Sequence, residues 1–531
     1  MKGASLMLTK LTAEMQSNVE KRSSLKRYLE SLTVGKGFTP RSWLYEDLEP
    51  DKVLELWQKQ LSALQNGSPE EGNVFQFDTS QLSKWGPQGG VAPIAELMDE
   101  VVLPTFGKAE VPKAFKSEAW KRAKLRATEL LKRVGGAESL RPASYKSVVE
   151  DMRSRDTLES NSGWPYFTRR SVDYIKQQSI EEAENGLWKT YPAIALFRNY
   201  NGKTRLVWMF PMSANLVEGS FFQPLQSKLM NSPLAEKFLS PWKGFEQVRQ
   251  VVTAAYKDGD YLAASDFSST DAHFTRYSSL EVYDVIAPCF QYKYRDSLKE
   301  SVLHMHEIPL VVGPDQMLTG WHGVSSGSNW TNFIETVFDL ILALYVEELG
   351  YTGYQGLYAI GDDMAWHAKA FSEKFADQLA DIGESVGQVI KAEKTTNDPG
   401  KVKTLQRLFQ RGYERPDGTL RGVYSTIRAL KSSVYPEKFH KPKLWSSDMF
   451  CARQFMILEN CVDHPLFEDF VKFVCAGNRH LIPFAKKSGP ELDEITRKTK
   501  LLPGFNPTYN QERRDTSLAS FESINIARAL Q

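Results

Sequence analysis

The chain has 531 residues, a hydrophobic fraction of 41% and a formal net charge of +1, so it is long enough for two to four domains or one interwoven body. A near-zero charge excludes a protein drawn to nucleic acid by overall excess, and any anion-binding groove must come from segregating charge. Its four cysteines, Cys289, Cys451, Cys461 and Cys475, lack C-x-x-C spacing, which excludes a zinc ribbon or disulfide frame and indicates reduced thiols of an intracellular protein.

Residues 6–32 place Leu8, Leu11, Met15, Leu25, Leu29 and Leu32 at near-helical spacing among charges, which predicts one or two amphipathic packing helices. No apolar signal core opens the chain. The most apolar helix candidate, 333–346, is too short for a membrane span and contains Glu335 and Asp339. Loop punctuation at 66–73 and 86–90 is followed by a Lys- and Arg-rich helix over 113–133, read as a solvated face.

The stretch 160–170 is a Gly-Pro loop with exposed-type aromatics and paired arginines; Ser162, Gly163, Pro165 and Arg169 suit a contact to the backbone of a single strand. Its plain alternative is an ordinary loop. Between 197 and 211 the pattern predicts a hairpin with a basic tip. Lys203 and Arg205, two apart on a strand, project from one face and can clamp a triphosphate. An apolar strand over 261–266 ends in Asp266, and Ser268-Ser269-Thr270 leads into a helix opened by Asp271. A carboxylate at the end of an apolar strand is placed like a functional residue, whereas Asp271 alone would pass for a helix N-terminal acid.

Residues 320–332 form a Gly/Ser loop, with Ser326, Gly327, Thr331 and Asn332, that feeds the apolar helix and can present N–H and hydroxyl groups to an anion or sugar. Leu357 to Trp366 is strand, turn, strand around Gly361-Asp362-Asp363. Gly361 supplies the turn angles, and the paired carboxylates call for a cation. A Gly-Asp-Asp arises by chance in a chain this long about one time in ten, so it needs company. Further elements are a helix over 371–387, a strand over 389–394 and a turn-rich hairpin from Leu408 to about Tyr424. Largely helical sequence follows over 426–481, then a Pro/Gly/Asn-rich segment over 488–510 and a short helix.

Together these stretches resemble, in order and spacing, the motifs of viral RNA-dependent RNA polymerases, most closely those of picobirnaviruses, with a partitivirus-type enzyme second. The resemblance rests on Asp266 with Asp271, Ser326-Gly327-x-x-x-Thr331, Gly361-Asp362-Asp363, Ala392-Glu393-Lys394, Leu408-Phe409-Gln410-Arg411, the basic pair Lys203 and Arg205, and Ser162-Gly163-x-Pro165. One departure stands out. Where many relatives carry Asn four residues after the motif threonine, this chain has Glu335, and its asparagine is Asn332.

The resemblance implies an α+β, closed right-hand polymerase with an antiparallel palm sheet. Bridging helices and fingers would occupy 1–255, palm 256–290, a fingers insertion 291–320, palm again 321–425, and thumb with a C-terminal segment 426–531. It implies template-directed RNA synthesis by two-metal nucleotidyl transfer, with Asp266 and Asp362 as metal ligands and Asp363 assisting. Mg2+ is the expected ion and Mn2+ fits the same oxygen ligands. Lys203 and Arg205 would hold the triphosphate and Lys394 would act as general acid. Asp271, Ser326, Thr331 and Asn332 would read the ribose, with Gly327 beside them in the nucleotide site and Ser162, Gly163, Pro165, Arg169 and Arg411 against RNA.

Expected partners are single-stranded RNA template, nascent RNA, ribonucleoside triphosphates and a viral capsid protein. The implied setting is a monomer in the virion interior and host cytoplasm, copying a segmented double-stranded RNA genome. The segment 488–510, with Phe505 and Tyr509, would fold back towards the cavity and support primer-independent initiation. A reverse transcriptase, or a non-catalytic RNA-binding protein of the same fold, are the rival readings.

Overall fold

The computed structural model describes residues 6–438, 440–503, 505 and 516–531. Among the described residues twelve strands form three sheets: β1 (Met7–Lys10), β2 (Ala193–Tyr200), β3 (Lys203–Met209), β4 (Tyr261–Asp266), β5 (Leu310–Val311), β6 (Gln316–Thr319), β7 (Tyr354–Ile360), β8 (Asp363–Ala368), β9 (Thr396–Asn397), β10 (Lys401–Thr404), β11 (Arg407–Gln410) and β12 (Val423–Tyr424). Helices surround them, giving the α+β architecture expected.

The first sheet runs β1-β6-β5-β2-β3. Asn201 and Gly202, with φ of 55° and 72°, make the tight turn between β2 and β3, and Lys203 pairs with Tyr200 directly behind it. Residues 7–10, expected to be helical, are instead the edge strand of this sheet, in register from Met7 opposite Thr319 to Lys10 opposite Gln316. Helix starts only at Ala13, where Thr12 accepts the Met15 N–H. The partner strand lies some three hundred residues away, and local periodicity carries no trace of it.

The second sheet, β7-β8-β4-β9, is antiparallel throughout. Its two faces are both covered. Ala263, Ala359, Met364 and Trp366 pack in the core that contains the helix Trp330–Leu349. Leu262, Ala264, Leu357 and Ala365 turn the other way onto the helix Phe245–Lys257. A register shift between Gly356 and Tyr358 brings Tyr358 to the second face beside Leu357. The stretch 389–394 is not the strand expected: Ile390 makes a single bridge to Phe267, and Ala392–Lys394 is one 3-10 turn before β9.

A second core gathers the helices Thr426–Val434, Ser447–Glu459, Phe467–Cys475 and Gly489–Thr499 with Pro50–Leu61 and Pro69–Thr79 from the N-terminal region. Asp78, fully buried, ties the two ends together. It accepts from the Ser425 and Thr426 hydroxyls, the Ile427 N–H and the His464 ring. Those bonds and the imidazole keep its carboxyl below the usual range against the opposing effect of burial. The 488–510 segment opens as a helix, Gly489–Thr499, because Ser488 and Glu491 form a reciprocal capping box that the Pro/Gly content concealed. Tyr509 and Asn510 lie outside the described residues. Among the described residues no helix is long and apolar enough to cross a membrane, and the four cysteines are buried and unpaired.

Candidate active site

The β7–β8 turn carries Gly361 at φ 56°, held by its N–H donating to Thr336 Oγ1 at 2.9 Å. A Cβ there would meet Asn332 Nδ2 at 3.1 Å and Glu335 Oε2 at 3.5 Å, so the glycine lets the turn lie against the helix Trp330–Leu349. Antiparallel pairing sets Asp266, last residue of β4, opposite Asp363, first residue of β8. The Phe267 N–H then donates to the carbonyl of Asp362 at 3.1 Å.

Three carboxylates thus come together, Asp266 from β4, Asp362 from the turn and Asp363 from β8. Burial raises all three, and mutual repulsion adds to it for Asp362 (from Asp266) and for Asp363 (from Asp362 and Asp266). Lys394 draws Asp266 back down, which places the ammonium in the same field. Among the described residues no three acidic, His or Cys side chains already close around a metal-sized point. An all-oxygen donor set in a half-buried turn suits a hard divalent ion.

Asp271, in the short helical turn Thr270–His273, joins this centre. Burial and the nearby Asp362 push its carboxyl up to about 6, while Lys203 and Arg205 pull it down. The predicted basic pair and the predicted acid therefore share one electrostatic site. Arg205 also lies over the Tyr200 ring at 4.3 Å, with Arg198 at 4.6 Å.

A cavity of about 430 Å³ holds Ser326, Thr331, Asn332, Glu335, Gly361, Asp362 and Asp363 along its wall. Ser326 Oγ accepts the Trp208 N–H at 3.0 Å, and a Cβ on Gly327 would lie 1.7 Å from Trp208 O, so the Gly/Ser loop is pressed onto β3. Thr331 Oγ1 donates to Ser325 O at 2.6 Å, which commits its proton to closing the loop and leaves only its oxygen to face a sugar.

The 160–170 loop lies beside a neighbouring cavity of about 590 Å³, lined in part by Asn161, Arg170, Gly327 and Phe505. Gly163 has φ 68° and its Cβ position is 2.4 Å from Phe210 O. The Ser162 carbonyl accepts the Met212 N–H, and Pro165 O accepts from Asn18 Nδ2. Trp164, expected to be exposed, is buried in the core, and Arg169 is paired with Glu159 at 3.2 Å. Arg411 stands apart from the site. Its guanidinium donates to Tyr256 O and Asp260 O and lies over the Tyr256 and Tyr261 rings, fastening the β10–β11 hairpin to β4.

Further residues border this site. Arg407 and Tyr424 line the smaller cavity. Glu335 and Asp339 are buried behind the Asp362 turn and held well above the carboxylate range by burial, with neighbouring acids adding to it. Among the described residues neither oxygen of Asp339 has a hydrogen-bond partner. Two acids four apart in an apolar helix are a visible signal: Glu335 stands out as the departure from the family's asparagine, whereas Asp339 counts only against a membrane span.

Compared with known proteins, residues 200–423 match the family model described as viral RNA-dependent RNA polymerase. The chain is 25% identical over 545 residues to a potential RNA-dependent RNA polymerase of a human picobirnavirus, covering 96% of each. It superimposes on the crystal structure of the RNA-dependent RNA polymerase of a human picobirnavirus with a TM-score of 0.77, at 22% identity, over 97% of both chains. An insertion-loop deletion mutant of such a polymerase gives 0.75, also at 22% identity. The fold, the family model and the motif order agree on an RNA-directed RNA polymerase.

Proposed function

We propose that this polymerase copies RNA by two-metal-ion nucleotidyl transfer at Asp266 and Asp362. The observation that carries the reading is the convergence of Asp266, Asp362 and Asp363 across the β4–β8 pair, each raised by burial and the latter two by the neighbouring acids. Bound divalent ions, Mg2+ by default and Mn2+ as a fit to the same ligands, would make the primer 3′-oxygen nucleophilic and neutralise the leaving pyrophosphate. Asp266 and Asp362 hold these ions and Asp363 assists. Lys203 and Arg205 grip the triphosphate, and Lys394, in the field of Asp266, delivers a proton to the departing pyrophosphate.

Asp271 reads the ribose with Ser326, Asn332 and the oxygen of Thr331, while Gly327 gives the sugar-facing loop its close seat on β3. Asn332 and Glu335 both reach the Gly361 turn, and Asn332 is the polar neutral one. Ser162, Gly163, Pro165 and Arg169 guide the template strand past the larger cavity.

In this reading 1–255 supplies bridging helices and fingers, 256–290 and 321–425 the palm, 291–320 a fingers insertion, and 426–531 the thumb. The bonds of Asp78 and of Trp57 Nε1 to Thr426 Oγ1 at 2.8 Å support the bridging role of the N-terminal helices. Phe505 and Thr499 on the wall of the larger cavity support a C-terminal segment that assists primer-independent initiation. Deleting 500–515 should abolish de novo initiation while primed extension persists; unchanged de novo initiation contradicts that role.

The setting we infer is a monomer replicating and transcribing a double-stranded RNA genome in the virion interior and host cytoplasm, alongside a capsid protein. The test of function is incorporation of labelled ribonucleotides on a single-stranded RNA template with Mg2+. Asp362→Asn should lose activity by orders of magnitude and still bind RNA. Equal activity in that variant contradicts the mechanism.

A further inference from the structure

Glu218 lies inside the helix Met212–Met230, is 1% exposed, and takes no part in the chemistry above. Its Oε1 accepts the Asn329 N–H and Asn215 Nδ2, each at 3.0 Å, and its Oε2 accepts the Ser328 hydroxyl. Asn215 is shared in every direction. Its Nδ2 also donates to Gly327 O at 3.1 Å, and its backbone carbonyl accepts from Asn329 Nδ2 at 3.2 Å. Its Oδ1 accepts from Arg170 Nη2 at 2.9 Å, and Arg170 Nε in turn holds Asn161 O at 3.2 Å.

An unbroken run of hydrogen bonds therefore joins the 160–170 loop to residues 327–329. Both loops border the larger cavity through Asn161, Arg170 and Gly327. A buried carboxylate is costly, and an apolar residue would have packed this helix more simply. What the carboxylate adds is a fixed acceptor for a Gly/Ser loop that has little stiffness of its own. On the opposite side Gly327 already touches Trp208 O, so the loop is clamped between β3 and the Glu218 helix.

We propose that Glu218 is a positioning residue for nucleotide selection, fixing the 326–329 loop to the 160–170 loop so that the ribose-reading groups hold their place beside Asp271. The inference rests on the reading of Asp271 and the Ser326–Asn332 groups as ribose sensors. Preorganised groups discriminate because they do not reorganise for the wrong sugar, and a loosened loop relaxes that choice before it abolishes synthesis.

The test uses the full chain on a single-stranded RNA template and reads kcat/KM for ribonucleotide over deoxyribonucleotide. Glu218→Gln keeps the volume but removes the charge facing Arg170 and one acceptor. Discrimination should fall about tenfold, mainly through a higher KM for ribonucleotide. Ser328→Ala, which leaves the carboxylate in place, should shift it the same way by less, and carries the test if Glu218→Gln does not fold. Asp271→Asn probes the ribose site itself: unchanged discrimination there overturns the reading and the proposal with it. If Asp271→Asn lowers discrimination while Glu218→Gln and Ser328→Ala do not, or lower kcat/KM for both sugars by one factor, the positioning role alone is overturned.

Discussion

Asp362, half-buried, and Glu218, fully buried, are both raised by burial, yet they face different neighbours. Asp362 is pressed by acids, Asp266 among them, and needs a cation. Glu218 is met by Ser328, Asn329, Asn215 and Arg170, which offset part of the burial that pushes its carboxyl up to about 7. Because that value lies above its unfolded 4.5, Glu218 stabilises the fold fully below about pH 4.5 and the contribution is lost as pH rises through 7. The loss amounts to about 3 kcal/mol. Denaturant unfolding at pH 5 and pH 8 should show the wild type losing stability relative to Glu218→Gln; parallel curves contradict the assignment. The places of Asp266 at a strand end and of Asp362 in a turn were legible in the sequence, because an apolar run and a Gly-Asp pair mark them. Glu218 was not, since an acid in a helix gives no sign of partners more than a hundred residues away.

Among elements, the hairpins were the most legible. Asn201-Gly202 and Gly361 announce their turns by backbone chemistry, and the structure places both as turns. β1 and the 389–394 stretch were misread because their pairings are long-range or reduced to a single bridge. The helix Gly489–Thr499 was hidden by a Gly-Pro pair that, at its first turn behind Ser488, is start chemistry rather than loop chemistry. The Gly/Ser loop was read as able to meet a sugar, but its contact with β3 was not foreseeable. Gly327→Ala must push that loop away from Trp208 O. We expect a stability loss of about 1–3 kcal/mol and a raised ribonucleotide KM, measured by denaturant unfolding and steady-state incorporation. A variant with wild-type stability and KM would show that the close seat of the loop has no consequence.

At the scale of the molecule, a chain of net charge +1 has to build its RNA path by segregation. Arg155, Arg170, Lys438 and Lys500 line the larger cavity, against Asp156, Glu159 and Glu459. Template binding should therefore weaken at least about tenfold between 50 and 200 mM salt, read by fluorescence anisotropy with labelled RNA. A flat dependence contradicts a basic channel. The right-hand architecture could be expected only through the family resemblance. The joining of N- and C-terminal regions around Asp78 depends on contacts that no local pattern encodes.

The central claim is that Asp266 and Asp362 hold the ions of the reaction. It is tested most directly by Mn2+ binding, followed by electron paramagnetic resonance on the full chain with a ribonucleoside triphosphate and RNA template. Asp266→Asn and Asp362→Asn should each weaken Mn2+ binding at least about tenfold and lose incorporation in parallel. Wild-type Mn2+ affinity and stoichiometry in both variants would contradict the account.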